Sequence, residues 1–162
     1  MRTSILAACS TVLLAGCFMP ASIQNRVNER DRDRVRAAAA EQWRRLDADA
    51  ASRGWRPVGE PMQGTLMESY NESDDIRIDL PATGEYNLVG MCGPNCIDMD
   101  LVVYNSARER VAADLEPDAV PIVAFRGTAG ERFTATVTIP DCRAPEREAR
   151  WSCTYFTRIY RR

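Results

Sequence analysis

Gly130-Glu131-Arg132-Phe133-Thr134-Ala135-Thr136-Val137-Thr138-Ile139 opens on a glycine turn and then carries an apolar residue at every second position. A period of two sends Phe133, Ala135, Val137 and Ile139 to one side of an extended chain, so the stretch reads as a strand with one buried face. The same alternation runs through Ile76, Ile78 and Leu80, through Tyr86 and Leu88, and through Met99, Leu101 and Val103. Turn-forming stretches separate these runs at Pro81-Ala82-Thr83-Gly84, Cys92-Gly93-Pro94, Asn105-Ser106, Pro117-Asp118 and Thr128-Ala129-Gly130. About eight strands follow, near 64–70, 75–80, 85–92, 97–104, 109–114, 121–126, 131–140 and 152–160. Short strands at this spacing in a chain of 162 residues predict a mainly β fold, an antiparallel β-sandwich over residues 60–162.

Upstream the period changes. Ile23, Val27, Val35, Ala39, Trp43, Leu46 and Ala50 recur at steps of three and four, which predicts one N-terminal α-helix over 23–53. Ser22 is placed to cap its start and Gly54 to end it, and Glu41 with Arg45 makes a favourable i, i+4 pair. The stripe is thin and rich in alanine. It suits a helix that lies against a domain, or a spacer, better than a bundle.

Every basic residue is an arginine, and there is no histidine. Serine–histidine and cysteine–histidine triads, histidine metal sites and Schiff-base lysines are therefore excluded, and the expectation is a protein that is not an enzyme. A carboxylate-based hydrolase is the surviving catalytic alternative, with Asp98 and Asp100 or Glu116 and Asp118 as its acids. Charge is unevenly spread. Residues 60–142 hold fifteen acids and five arginines, whereas 143–162 hold six arginines and two acids. An acidic body repels phosphates, so nucleic acid is not an expected partner. Trp151, Tyr155, Phe156 and Tyr160 sit beside the basic tail, where alternation within a strand favours the core over an exposed cluster.

Leu14-Ala15-Gly16-Cys17 closes an apolar run from Ile5, preceded by one charge at Arg2. The run is too short to span a bilayer. It resembles a bacterial lipoprotein signal, which implies a signal peptide over 1–16, acylation of Cys17, a lipidated tether over 17–22 and anchoring in membrane lipid. Phe18 follows the cysteine where many inner-membrane lipoproteins carry aspartate, so the expected address is the cell envelope at the outer membrane. With Cys9 inside the signal and Cys17 lipidated, Cys92, Cys96, Cys142 and Cys153 remain. An even number in an exported domain reads as disulfides; of three possible pairings, proximity favours Cys92 with Cys96 and Cys142 with Cys153. A four-cysteine zinc site is the rival, disfavoured by the oxidising compartment and the unequal spacings.

Three segments, Gly84-Glu85-Tyr86-Asn87-Leu88-Val89-Gly90, Asp98-Met99-Asp100-Leu101-Val102-Val103-Tyr104 and Gly130 to Val137, together resemble the bacterial pre-peptidase C-terminal domain. The resemblance covers roughly residues 60–160 and implies a jelly-roll-like sandwich with a binding or assisting role outside the cell. Residues 1–59 are not expected to hold a peptidase ahead of the module, and the cysteine pairs are not a general feature of that family. Some members bind calcium, which brings forward Asp98 and Asp100, two carboxylates on one face of a strand, with Asp114, Glu116 and Asp118 as an adjoining acidic loop. Aspartates that satisfy loop amides are the competing reading. The expected function is thus a membrane-anchored, non-catalytic binding or structural module. Its expected partner is an envelope protein or a glycan, with calcium-dependent adhesion as the alternative.

Overall fold

The computed structural model describes residues 21–67, 72–94, 96–143 and 152–162. Residues 1–20, and with them the signal reading and Cys17, lie outside the described residues. One helix, α1 (Ala21–Ser52), precedes eight strands: β1 (Arg56–Met67), β2 (Ser73–Asp79), β3 (Gly84–Cys92), β4 (Cys96–Tyr104), β5 (Arg110–Asp114), β6 (Ile122–Gly127), β7 (Arg132–Cys142) and β8 (Ser152–Arg161). Residues Arg34–Arg162 form one compact unit; the other ends at Asp33 and is helical from Ala21. Among the described residues no helix is long and apolar enough to cross a membrane.

The strands build two four-stranded antiparallel sheets, ordered β1-β8-β3-β6 and β2-β7-β4-β5. The pairs are nested: β4 lies with β5, β3 with β6, β2 with β7 and β1 with β8. A long hairpin wound around itself has this order, and it is the jelly-roll arrangement of eight strands in two sheets. Alternation does the rest. Tyr86, Leu88, Met99, Leu101, Val103, Val123, Phe133, Ala135, Val137 and Tyr155 fill the space between the sheets and are essentially inaccessible to water. Tyr86 donates its hydroxyl to the Ala82 carbonyl, and Tyr155 donates to Asp74, so neither buried ring leaves a polar atom stranded.

Both disulfides form as expected, Cys92 with Cys96 and Cys142 with Cys153, at Cα separations of 5.6 and 6.0 Å. Each joins the two sheets, because Cys92 and Cys153 belong to the first while Cys96 and Cys142 belong to the second. Cys96 pairs with Cys142 in register, so the two staples sit side by side.

The first sheet is buried on both sides. Ala39 and Trp43 of α1 pack on Val89, Met91, Phe156 and Tyr160, and Leu46, Ala50, Trp55 and Val120 border the contact. The helix therefore lies against the sandwich through residues 39–50. Its C-terminus is a Schellman cap: the Trp55 amide reaches the Ala50 carbonyl at 2.9 Å, the Gly54 amide reaches Ala51 at 3.0 Å, and Gly54 takes a left-handed φ of 82°. Gly54 ends the helix as expected, while Ser22 falls inside the first turn because α1 begins at Ala21. The Glu41–Arg45 pair forms at 3.1 Å.

One boundary moves substantially. The first strand begins at Arg56, not near residue 64. Pro57, Gly59 and Pro61 argue against a strand, but β1 is the edge of its sheet, where a missing amide costs no ladder bond. The register shifts between Val58 and Met62, and Gly59 supplies the left-handed turn of that bulge with φ 71°.

Candidate functional site

The two outer faces of the sandwich differ in what covers them. On the first sheet, α1 is locked down by Asp47, whose carboxylate accepts from Arg158 at 2.7 Å and from the Tyr160 hydroxyl at 2.8 Å. Burial, reinforced by that hydrogen bond, pushes the Tyr160 phenol well above its usual range. No such layer lies over the second sheet among the described residues. Its outward residues are set by register into rows across three strands. Ser73, Thr138 and Asp100 form one row; Asp75, Thr136 and Val102 the next; Arg77, Thr134 and Tyr104 the third; Asp79 and Arg132 end the series. Strands are about 4.8 Å apart, so a row of three spans roughly 10 Å of hydrogen-bonding surface.

Within the rows the groups are already ordered. Thr136 donates to Asp75 at 2.7 Å, Thr138 to Asp100 at 3.3 Å, and Arg132 lies 3.9 Å from Asp79. Two adjoining cavities open on this face. One, of about 360 Å³, is bounded by Ser73, Asp75, Tyr104, Arg108, Thr134 and Thr136. The other, of about 570 Å³, continues past Arg77, Glu131 and Arg132, and both include Asn105, Arg108 and Thr134.

Arg108 overhangs the junction from the β4–β5 turn. It has φ 61°, the one left-handed backbone at a non-glycine position among the described residues. The turn enforces that geometry. Asn105 accepts at its side-chain oxygen from the Ala107 and Glu109 amides at 3.0 and 2.9 Å, and its side-chain amide donates to Glu109 at 2.9 Å. The Arg108 amide in turn donates to the Asn105 carbonyl at 3.0 Å. A left-handed arginine costs about 1–2 kcal/mol, which a fully bonded turn sustains.

The acids singled out by sequence lie elsewhere. Asp98 and Asp100 do share the outward face of β4, and Asp98 stands opposite Asp141 in register. One Asp98 oxygen is buried without a hydrogen-bond partner. Burial first, then the charges of Asp118 and Asp141, hold the Asp98 carboxyl above its ordinary range. Asp100 is raised by burial and by Asp98, against the lowering effect of its Thr138 hydrogen bond. The adjoining loop acids serve amides. Asp114 accepts from Glu116 at 3.2 Å and from Ile122 at 2.7 Å, and Asp118 accepts from Val120 at 2.7 Å. Among the described residues no three metal-binding side chains converge. None of these acids lines the two cavities described above.

Sequence reasoning brought forward Tyr104 only as part of a motif, and it passed over Asp47, Arg77, Arg108 and the outward threonines. The threonines alone had a visible signal, as the polar partners of the apolar run in β7. The sequence matches no protein-family model and no curated protein.

Proposed function

We propose that this chain is a lipid-anchored protein of the bacterial cell envelope, held at the outer membrane through acylated Cys17, whose jelly roll is a non-catalytic binding module akin to the pre-peptidase C-terminal domain. Its binding surface is the outer face of the second sheet. The observation that carries this reading is the asymmetry of the two sheets: α1 covers one outer face with Trp43 and the Asp47–Arg158–Tyr160 contacts, while the other presents ordered rows of hydroxyl, carboxylate and guanidinium groups. The Leu14-to-Cys17 stretch and the inter-sheet disulfides accord with an exported, oxidised domain. The partner is an envelope glycan or protein.

Fractionation and site-specific crosslinking test this together. Cys17→Ala releases the protein from membranes. A photo-crosslinking side chain at Thr136 captures a partner in intact cells, whereas one at exposed Ala48, on the solvent side of α1, does not. Membrane retention of Cys17→Ala, or capture from Ala48 and not from Thr136, refutes the respective half.

A further inference from the structure

We infer that the groove on the outer face of the second sheet binds an acidic glycan, with Arg77 and Arg108 receiving a sugar carboxylate and Tyr104, Thr134 and Thr136 receiving the ring and its hydroxyls. This rests on the reading of that face as the binding surface and names its ligand class.

Charge segregation carries the argument. Residues 60–142 hold only five arginines against fifteen acids, yet Arg77, Arg108 and Arg132 all line this one groove. Arg132 is partly answered by Asp79, and Arg126, away from the groove, pairs with Glu85 at 3.0 Å. Arg77 and Arg108 have no carboxylate within ion-pair distance among the described residues, and both are exposed. The acids that border the groove are held in place by neutral donors, Asp75 accepting from the Thr136 hydroxyl at 2.7 Å and Glu131 from the Thr128 amide at 3.0 Å. Two guanidinium forks lining the groove thus lack a carboxylate partner among the described residues, and a fork matches a carboxylate through two parallel hydrogen bonds.

The remaining lining separates a saccharide from a bare anion. Thr134 lies between Arg77 and Tyr104 in one row, and the Asp75–Thr136 pair occupies the next, so hydroxyl-directed groups adjoin the cationic ones in two dimensions. Thr136 gives its proton to Asp75, which leaves lone pairs on both groups to accept from sugar hydroxyls. Tyr104 contributes an apolar ring with a polar tip. A dense polyanion meets the surrounding acids, whereas a glycan with spaced carboxylates meets the two forks and the hydroxyl lattice. The left-handed Arg108 supplies an independent sign: the turn holds a bulky side chain where glycine would be unstrained, and it holds it over the groove.

The test is calorimetric titration of the full chain bearing Cys17→Ala, disulfides intact, with a galacturonate tetrasaccharide, its fully methyl-esterified form and inorganic phosphate. The acid form binds; the ester, which has the same rings without the charge, binds at least tenfold more weakly, and so does phosphate. Arg77→Gln lowers affinity for the acid form at least tenfold. Arg108→Gly does the same while its melting temperature holds or rises, since strain is relieved, an outcome a purely structural arginine would not give. Equal binding of acid and ester, unaffected by either variant, overturns the acidic class and leaves the face as a glycan surface. Phosphate binding as tight as the saccharide overturns the glycan part. No saccharide binding, with crosslinks still formed from Thr136, overturns the inference alone; no binding and no crosslinks removes both readings.

Discussion

Replacing Trp43 measures how firmly α1 covers the first sheet. Trp43 is only 4% exposed and sits on Phe156 and Tyr160. A large aromatic side chain removes about 150–250 Å² from water, worth roughly 4–6 kcal/mol at about 25 cal/mol per Å². A compact unfolded state lowers this to about 3–5 kcal/mol. Against it stands the indole N–H, which is buried without a partner and costs about 1–3 kcal/mol that truncation recovers. The net loss for Trp43→Ala is therefore about 2 kcal/mol, whereas Trp43→Phe, which keeps most of the apolar area and deletes the orphan donor, costs less than about 1 kcal/mol. Urea unfolding of the full chain with Cys17→Ala, followed by circular dichroism with the disulfides oxidised, reads both values. A loss below about 1 kcal/mol for Trp43→Ala would refute the docking of the helix. A phenylalanine variant as unstable as the alanine one would refute the unpartnered N–H.

Two further outcomes follow from packing and charge. Asp98→Asn raises the melting temperature at neutral pH, because a carboxyl whose native pKa is raised by burial and by Asp118 and Asp141 favours the folded state only when protonated. That gain fades as pH falls through the raised native value towards the ordinary 3.8 and is gone below it, and a gain that persists or grows in acid contradicts the assignment. Gly64→Ala destabilises by about 1–3 kcal/mol, since a β-carbon there would fall inside the Tyr155 ring, which is buried and tied to Asp74. Thermal unfolding within about 0.5 kcal/mol of the parent would show that Tyr155 is free to move aside.

The sandwich was legible because burial is periodic. Phe133 to Ile139 announced β7, and the same period located β2, β3 and β4 within a residue or two. The start of β1 was hidden because Pro57, Gly59 and Pro61 carry local signals against a strand, and only edge placement beside β8 neutralises them. Asp98 and Asp100 were legible as neighbours on one face, but their surroundings depend on Asp141 and Asp118, brought in from another strand and a loop. Asp47 and Arg158 are 111 residues apart, and Asp75 meets Thr136 across 61. Such partners obey no local period, so the lock under α1 and the groove around Arg108 exist only once register is known.

The nested pairing also makes the strand pairs unequal in the length of chain each must close. The β4–β5 hairpin closes over residues 105–109, whereas β1 meets β8 only across the segment 68–151. Loop entropy makes the outer closure about 2.5 kcal/mol more expensive than the inner one. β8 also sits between β1 and β3, so the first sheet lacks an interior strand until residues 152–161 are present. A chain of this topology therefore completes its first sheet only when its last strand arrives.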